Sequence, residues 1–133
     1  MTPFPHTVDI DAPLAEAHQL MREHRFRHLP VTSNGKIVGV LTDRDISLIL
    51  GPDFERPDER EPKVRNAHIE EACIVPASTP VAKVARLMAD NRTGSAIVTK
   101  HDKLVGIFTV TDACRALAEV LHDHDDQEPD IVA

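Results

Sequence analysis

One stretch of this chain occurs twice. Gly39-Val40-Leu41-Thr42-Asp43-Arg44-Asp45 returns as Gly106-Ile107-Phe108-Thr109-Val110-Thr111-Asp112, 67 positions later (106 − 39 = 67). The same offset carries Pro13 to Pro80, Leu20-Met21 to Leu87-Met88, Val31 to Val98 and Lys36 to Lys103, without a gap. Self-similarity at a fixed period means two copies of one structural unit. Half of 133 residues lies near the size at which an isolated core is marginal, so the two copies are expected to share one core. Trp and Tyr are absent and there are 4 Phe, so that core must be built from Val, Ile, Leu, Ala and Met.

Each copy reads as β-α-β-β-α. Thr7-Val8-Asp9-Ile10-Asp11 alternates as a short strand does. Asp11-Ala12-Pro13 then reads as a helix start, with Asp11 as cap. Leu14, Ala17, His18 and Met21 fall on one helical face, and Val81, Val84, Ala85 and Met88 repeat it behind Ser78-Thr79-Pro80. Asn34-Gly35 between the apolar runs His28–Val31 and Ile37–Thr42 is a hairpin signal, since both residues tolerate positive φ. In the second copy a turn at His101-Asp102 separates Ala96–Thr99 from Leu104–Thr109. Second helices are expected over Asp43–Leu50 and Thr111–Leu121.

The organisation that follows is repeat 1 over residues 1–51, a charged, proline-rich linker over 52–62, repeat 2 over 63–121 and an acidic, flexible tail over 122–133. Lys63–Ala67 reads as a short helical entry to repeat 2. The net charge of −7 argues against binding a nucleic-acid backbone over a broad surface, though not against a small anion in a local basic niche. Cys73 and Cys114 form no CxxC pair and read as small core residues of a reducing compartment. Neither a signal peptide nor an apolar run of membrane-spanning length is seen, so a cytoplasmic protein without membrane insertion is the expectation.

The β-α-β-β-α order, Leu29-Pro30-Val31 before the hairpin, and two in-register copies of Gly-h-h-Thr-x-x-Asp (h, apolar) resemble the CBS domain, named after cystathionine β-synthase. Two in tandem look like a CBS pair, or Bateman module, and the likeness covers about Thr7 to Leu121. The resemblance implies an α/β (α+β) fold, a pseudo-two-fold sandwich of two small sheets with flanking helices. It further implies clefts between the repeats for adenosine-containing ligands (AMP, ADP, ATP or S-adenosylmethionine), a homodimer, signalling to a regulated partner in trans, and no catalysis. Repeat 2 departs from the family pattern at Ile97, where repeat 1 has Pro30.

The motif has a physical rationale. An ionised Asp is an acceptor with two oxygens, able to take both hydroxyls of a ribose. That is the expected role of Asp45 and Asp112, with Thr42 and Thr109 meeting the ribose or first phosphate. The helix N-terminus that follows adds N–H groups and a dipole favourable to phosphate. By the resemblance each cleft is composite. Thr42, Arg44 and Asp45 would face Thr93-Gly94-Ser95 and the Cys73 region; Thr109, Thr111 and Asp112 would face Arg27-His28 and the His6 region. Arg44 and Arg27 are then the phosphate-binding cations of unlike clefts.

Simpler readings exist for each feature. Thr42 and Thr109, taken alone, are ordinary N-caps. Arg27-His28 reads equally as a charged pair guarding a strand edge. His18 reads as a packed histidine, and His122-Asp123-His124-Asp125-Asp126 as a solvated run rather than a metal site. No Gly-x-Ser-x-Gly, P-loop or HExxH motif occurs, so no enzyme activity is expected. The rival reading is a ligand-free dimerisation scaffold of the same fold.

Overall fold

The structure, a computed structural model, describes residues 2–3, 6–51 and 62–123. The linker between Gly51 and Pro62 and the tail beyond Asp123 lie outside the described residues. The chain divides into two compact units, residues 5–72 in one and 1–4 with 73–133 in the other.

In the 5–72 unit, β2 (Val8–Asp9), α1 (Leu14–His24), β3 (His28–Ser33), β4 (Lys36–Thr42) and α2 (Asp43–Leu50) follow in order. The sheet runs β2-β3-β4, with β2 parallel and β4 antiparallel to the central β3. In the other unit, β5 (Ile74–Pro76), α3 (Val81–Asn91), β6 (Ser95–Lys100), β7 (Lys103–Thr109) and α4 (Val110–His122) repeat the pattern, and β1 (Thr2–Pro3) adds antiparallel to β7. That sheet is ordered β1-β7-β6-β5. The β-α-β-β-α unit is thus present twice.

Helix faces follow the periodicity. Leu14, Ala17 and Met21 are buried on α1, and Val84 and Met88 on α3. Val75, Val84, Met88, Ala96, Val98 and Phe108 form the core cluster of the 73–133 unit, aliphatic but for one ring. Asp11 does not cap α1. Pro13 stands at the N-cap position with no side-chain bond, and Asp11 pairs with Arg65 at 2.6 Å. The carboxylate is drawn off by a guanidinium 54 positions away, which also holds its pKa below the ordinary range. The segment after the linker is anchored there. A 3₁₀ turn, Val64–Asn66, lays Val64 N on Ala12 O and Arg65 N on Ile10 O, each at 2.9 Å. Cys73 packs beside the core, where burial pushes its thiol pKa up; Cys114, expected inside, is exposed on α4 because α4 buries none of its residues.

The hairpins turn as their residues dictate. Asn34 (φ 53°) and Gly35 (φ 78°) are left-handed, and so are His101 (φ 53°) and Asp102 (φ 62°). The second hairpin therefore holds a side chain where the first has glycine. Asp102→Gly is expected to stabilise the protein by about 0.5–1 kcal/mol, the left-handed cost being partly offset by glycine's freedom in the unfolded chain. A denaturation midpoint no higher than wild type would contradict this.

Pro30 and Ile97 differ as their backbones require. Ile97 N–H donates to Cys73 O at 2.7 Å and brings Ile74 into register. Pro30 has no N–H to give, and the parallel pairing of β2 begins only at Val8. His6 instead lies against His24, with ring centroids 4.2 Å apart, and Phe26.

Candidate functional site

Both copies of Thr-x-x-Asp sit where a strand passes into a helix. Thr42 ends β4 and caps α2, accepting from Asp45 N–H at 3.2 Å. Its own hydroxyl donates to Asp45 Oδ2 at 2.8 Å. Thr109 ends β7 and caps α4, accepting from Asp112 N–H at 3.3 Å and donating to Asp112 Oδ2 at 3.2 Å. There the Thr109 N–H also donates to Oδ2, at 2.9 Å, closing a capping box. The capping reading of these threonines is therefore correct as far as it goes. It also explains the spacing, since residue N3 is where a side chain reaches back to the cap.

The caps leave acceptor capacity. The side-chain bonds of Asp45 among the described residues fall on Oδ2, although the residue is only 8% exposed. Its Oδ1 remains for an incoming donor. Asp112 Oδ1 lies 3.6 Å from Arg115, one helical turn on. Repeat 1 has Leu48 at the position equivalent to Arg115, and Arg44 where repeat 2 has Thr111. Each helix start thus carries one arginine, at a different position. Arg115 is a residue that sequence reasoning passed over, although an i,i+3 acid–base pair is a readable signal.

The strand before each hairpin is fastened to its own helix start by one repeated bond: Asp43 N–H donates to Arg27 O at 3.0 Å, and Val110 N–H to Gly94 O at 3.1 Å. His28 stands opposite Thr42 in the ladder and Ser95 opposite Thr109. Within one unit, Arg27 and His28 therefore stand beside Thr42 and Asp45; within the other, Gly94 and Ser95 stand beside Thr109 and Asp112. Ser95 is buried, while Arg44 and Thr111 are exposed. Arg27 reaches Asp43 at 4.0 Å with its side chain 82% exposed, a pair that contributes little. Arg27-His28 stand at the beginning of β3, where β4 pairs with His28 on one side and β2, which joins only at Val31 and Thr32, leaves the other side open. Thr93 Oγ1, next to Gly94, is buried without a hydrogen-bond partner among the described residues.

His28 is the perturbed base of the site. Burial pushes its pKa below the ordinary imidazole range; Glu70 and Asp43 oppose the shift and Arg27 adds to it. The unfolded chain then binds this proton at higher pH than the folded one. The contribution is complete above the unfolded value, about 6.5, and is lost as pH falls through it. The urea midpoint is expected to drop between pH 8 and pH 5.5, and less steeply in His28→Gln. Equal slopes would remove His28 from the account.

Among the described residues no group of His, Cys, Asp or Glu is gathered that could hold a metal ion, and no helix is long and apolar enough to cross a membrane. His124–Asp126 of the histidine-rich run lie outside the described residues.

Two duplicated β-α-β-β-α units, each ending a hairpin in a Thr–Asp cap, define a tandem module. The CBS domain family model matches residues 1–51 and 64–119, and the chain belongs to that family. It is 28% identical over 124 residues to a CBS domain-containing protein of Dictyostelium discoideum, covering 86% of each chain. It is 30% identical over 118 residues to the zinc metalloprotease MJ0392 of Methanocaldococcus jannaschii, covering 89% of this chain and 31% of that one. The chain thus spans under a third of that relative's length. Among solved structures, a hemolysin-like protein containing a CBS domain from Oenococcus oeni superposes with a TM-score of 0.66 at 26% identity, covering 82% of this chain and 78% of that one. The CBS domain pair of protein MJ0100, in complex with 5′-methylthioadenosine and S-adenosyl-L-methionine, superposes with a TM-score of 0.71 at 24% identity, covering 87% and 93%. The α+β architecture is that of CBS pairs.

Proposed function

We propose that this CBS pair is a regulatory module that binds an adenosyl ligand, an adenine nucleotide of the AMP, ADP or ATP type or S-adenosylmethionine, and reports its presence to a regulated protein in trans without transforming it. The observation that carries the reading is the duplicated Thr–Asp pair, 2.8 Å apart in one unit and 3.2 Å in the other, each at a helix N-terminus. In this reading Asp45 and Asp112 accept from ribose hydroxyls. The two helix starts, with Thr42, Thr109 and Thr111, receive phosphate, assisted by Arg44, Arg27 and His28. Gly94 and Ser95 supply backbone and hydroxyl contacts, and the buried Thr93 hydroxyl beside them adds an unused partner. The complex of MJ0100 supports an adenosyl ligand by analogy. No cofactor is required, and the working compartment is the cytoplasm.

The second reading, a ligand-free homodimerisation scaffold, is favoured by α4. That helix of 13 residues buries none of them, and Leu117 is 58% exposed. A thermal-shift panel of AMP, ADP, ATP and S-adenosylmethionine separates the two. A ligand present at about 100 times its dissociation constant stabilises by about 2.7 kcal/mol. No shift with any of them, together with a dimer by light scattering, would leave the scaffold.

A further inference from the structure

We propose that His28 sets the charge preference of the Thr42–Asp45 site. With its imidazole neutral the site favours an adenosyl ligand bearing a cation, and with its imidazole protonated one bearing phosphate. The Thr109–Asp112 site, which has Ser95 in that place, makes no such change. In the adenosyl-ligand reading, on which this rests, the two sites then differ in ligand chemistry.

The sheet register places the imidazole. Residues opposite each other on antiparallel strands turn their side chains to one face. His28 lies opposite Thr42, whose hydroxyl donates to Asp45 Oδ2 at 2.8 Å. Imidazole and hydroxyl therefore share a face, and the hydroxyl holds a carboxylate that is only 8% exposed. Ser95 lies opposite Thr109 in the same way, 67 positions on.

The charges around the two positions differ. Arg27, Asp43 and Glu70 act on His28. Arg44 and Asp45 follow Asp43 on the first turn of α2, and Glu70 is held by its bridge to Val40 on β4. Three carboxylates thus stand with two arginines, so neutral His28 leaves an excess of negative charge and protonation removes it. In the second repeat the positions of Arg27, Asp43 and Arg44 hold Gly94, Val110 and Thr111. Ile107, the equivalent of Val40, pairs with Thr2 rather than with an acid. Asp112 and Arg115, 3.6 Å apart, offset each other. Burial keeps His28 neutral to lower pH than an exposed imidazole. A phosphate beside it opposes that cost, so nucleotide binding draws a proton on and strengthens as pH falls. The sulfonium of S-adenosylmethionine is repelled by the same proton.

The test is titration calorimetry with ATP and with S-adenosylmethionine, free of divalent cations, between pH 8 and pH 5.5. Asp112→Asn leaves the first site to be measured, and Asp45→Asn the second. Titration of the ligands themselves is common to both variants and cancels in the comparison. One charge a few ångströms away, partly screened, changes affinity on the order of tenfold. The ratio of ATP to S-adenosylmethionine affinity is therefore expected to rise about tenfold more in Asp112→Asn than in Asp45→Asn as pH falls. Adding His28→Gln to Asp112→Asn should remove that excess. An equal rise in the two single variants would overturn the proposal, as would an excess that survives His28→Gln. So would a first site that binds the same one of the two ligands alone at both ends of the range. Binding of neither ligand to the wild-type chain would overturn the adenosyl-ligand reading, and this proposal with it.

Discussion

Asp45→Ala and Asp112→Ala are each expected to abolish adenosyl-ligand binding at one of the two sites and to spare the other. Each charge-assisted hydrogen bond lost costs about 1.5–3 kcal/mol, about 10- to 150-fold in affinity. A ribose gripped by both hydroxyls loses more than one such bond. Titration calorimetry on the single variants should show one remaining site and on the double variant none. Because Asp45 and Asp112 also complete helix caps, Asp45→Asn and Asp112→Asn are the companion variants. They keep an acceptor for the threonine hydroxyl and remove the charge. Binding equal to wild type in the double Asn variant, with the fold intact, would place the ligand elsewhere.

Gly39→Ala is expected to be strongly destabilising. An added Cβ would collide with Ile69 Cγ2 and come within 2.6 Å of Glu70 O. Glu70 cannot easily retreat, since it exchanges two backbone bonds of 2.9 Å with Val40. Overpacking against fixed backbone costs about 1–3 kcal/mol, and losing the Val40–Glu70 pairing adds to it. The midpoint of thermal unfolding should fall by about 10 °C, each kcal/mol being worth several degrees in a domain of this size. The strain also bears on the site, because β4 runs directly from Gly39 to Thr42. Val38→Ala, on an exposed side chain of the same strand, should move the midpoint little. A Gly39→Ala midpoint within a degree of wild type would contradict the packing described.

The parts of the fold that were legible from sequence are those governed by local chemistry. The turn at Asn34-Gly35 announces itself, and duplication transfers the reading to His101-Asp102, which alone would be ambiguous. Leu14, Ala17 and Met21 show their helical face through spacing, and α2 spans Asp43–Leu50 as expected. The Thr-x-x-Asp motif was readable for the same reason, because cap and N3 residue are three apart. What escaped was non-local. The Asp11–Arg65 pair and the Val40–Glu70 bridge join residues 54 and 30 positions apart, and neither leaves a periodic trace. The two residues of β1 are too few to show alternation, yet they pair with Ile107 and Gly106. Val81 occupies the same helical position as Leu14 but is 53% exposed where Leu14 is buried, a difference that the shared spacing does not announce. Cys114 is exposed likewise, since an apolar neighbourhood in sequence does not set which face of α4 meets the core, and that face is Ala113's.

A crystal structure grown with AMP or S-adenosylmethionine tests the central claim most directly. The predicted result is a ribose whose hydroxyls lie about 2.5–2.7 Å from the carboxylate of Asp45 or Asp112, with the neighbouring threonine in contact. A bound ligand whose sugar touches neither carboxylate would contradict it.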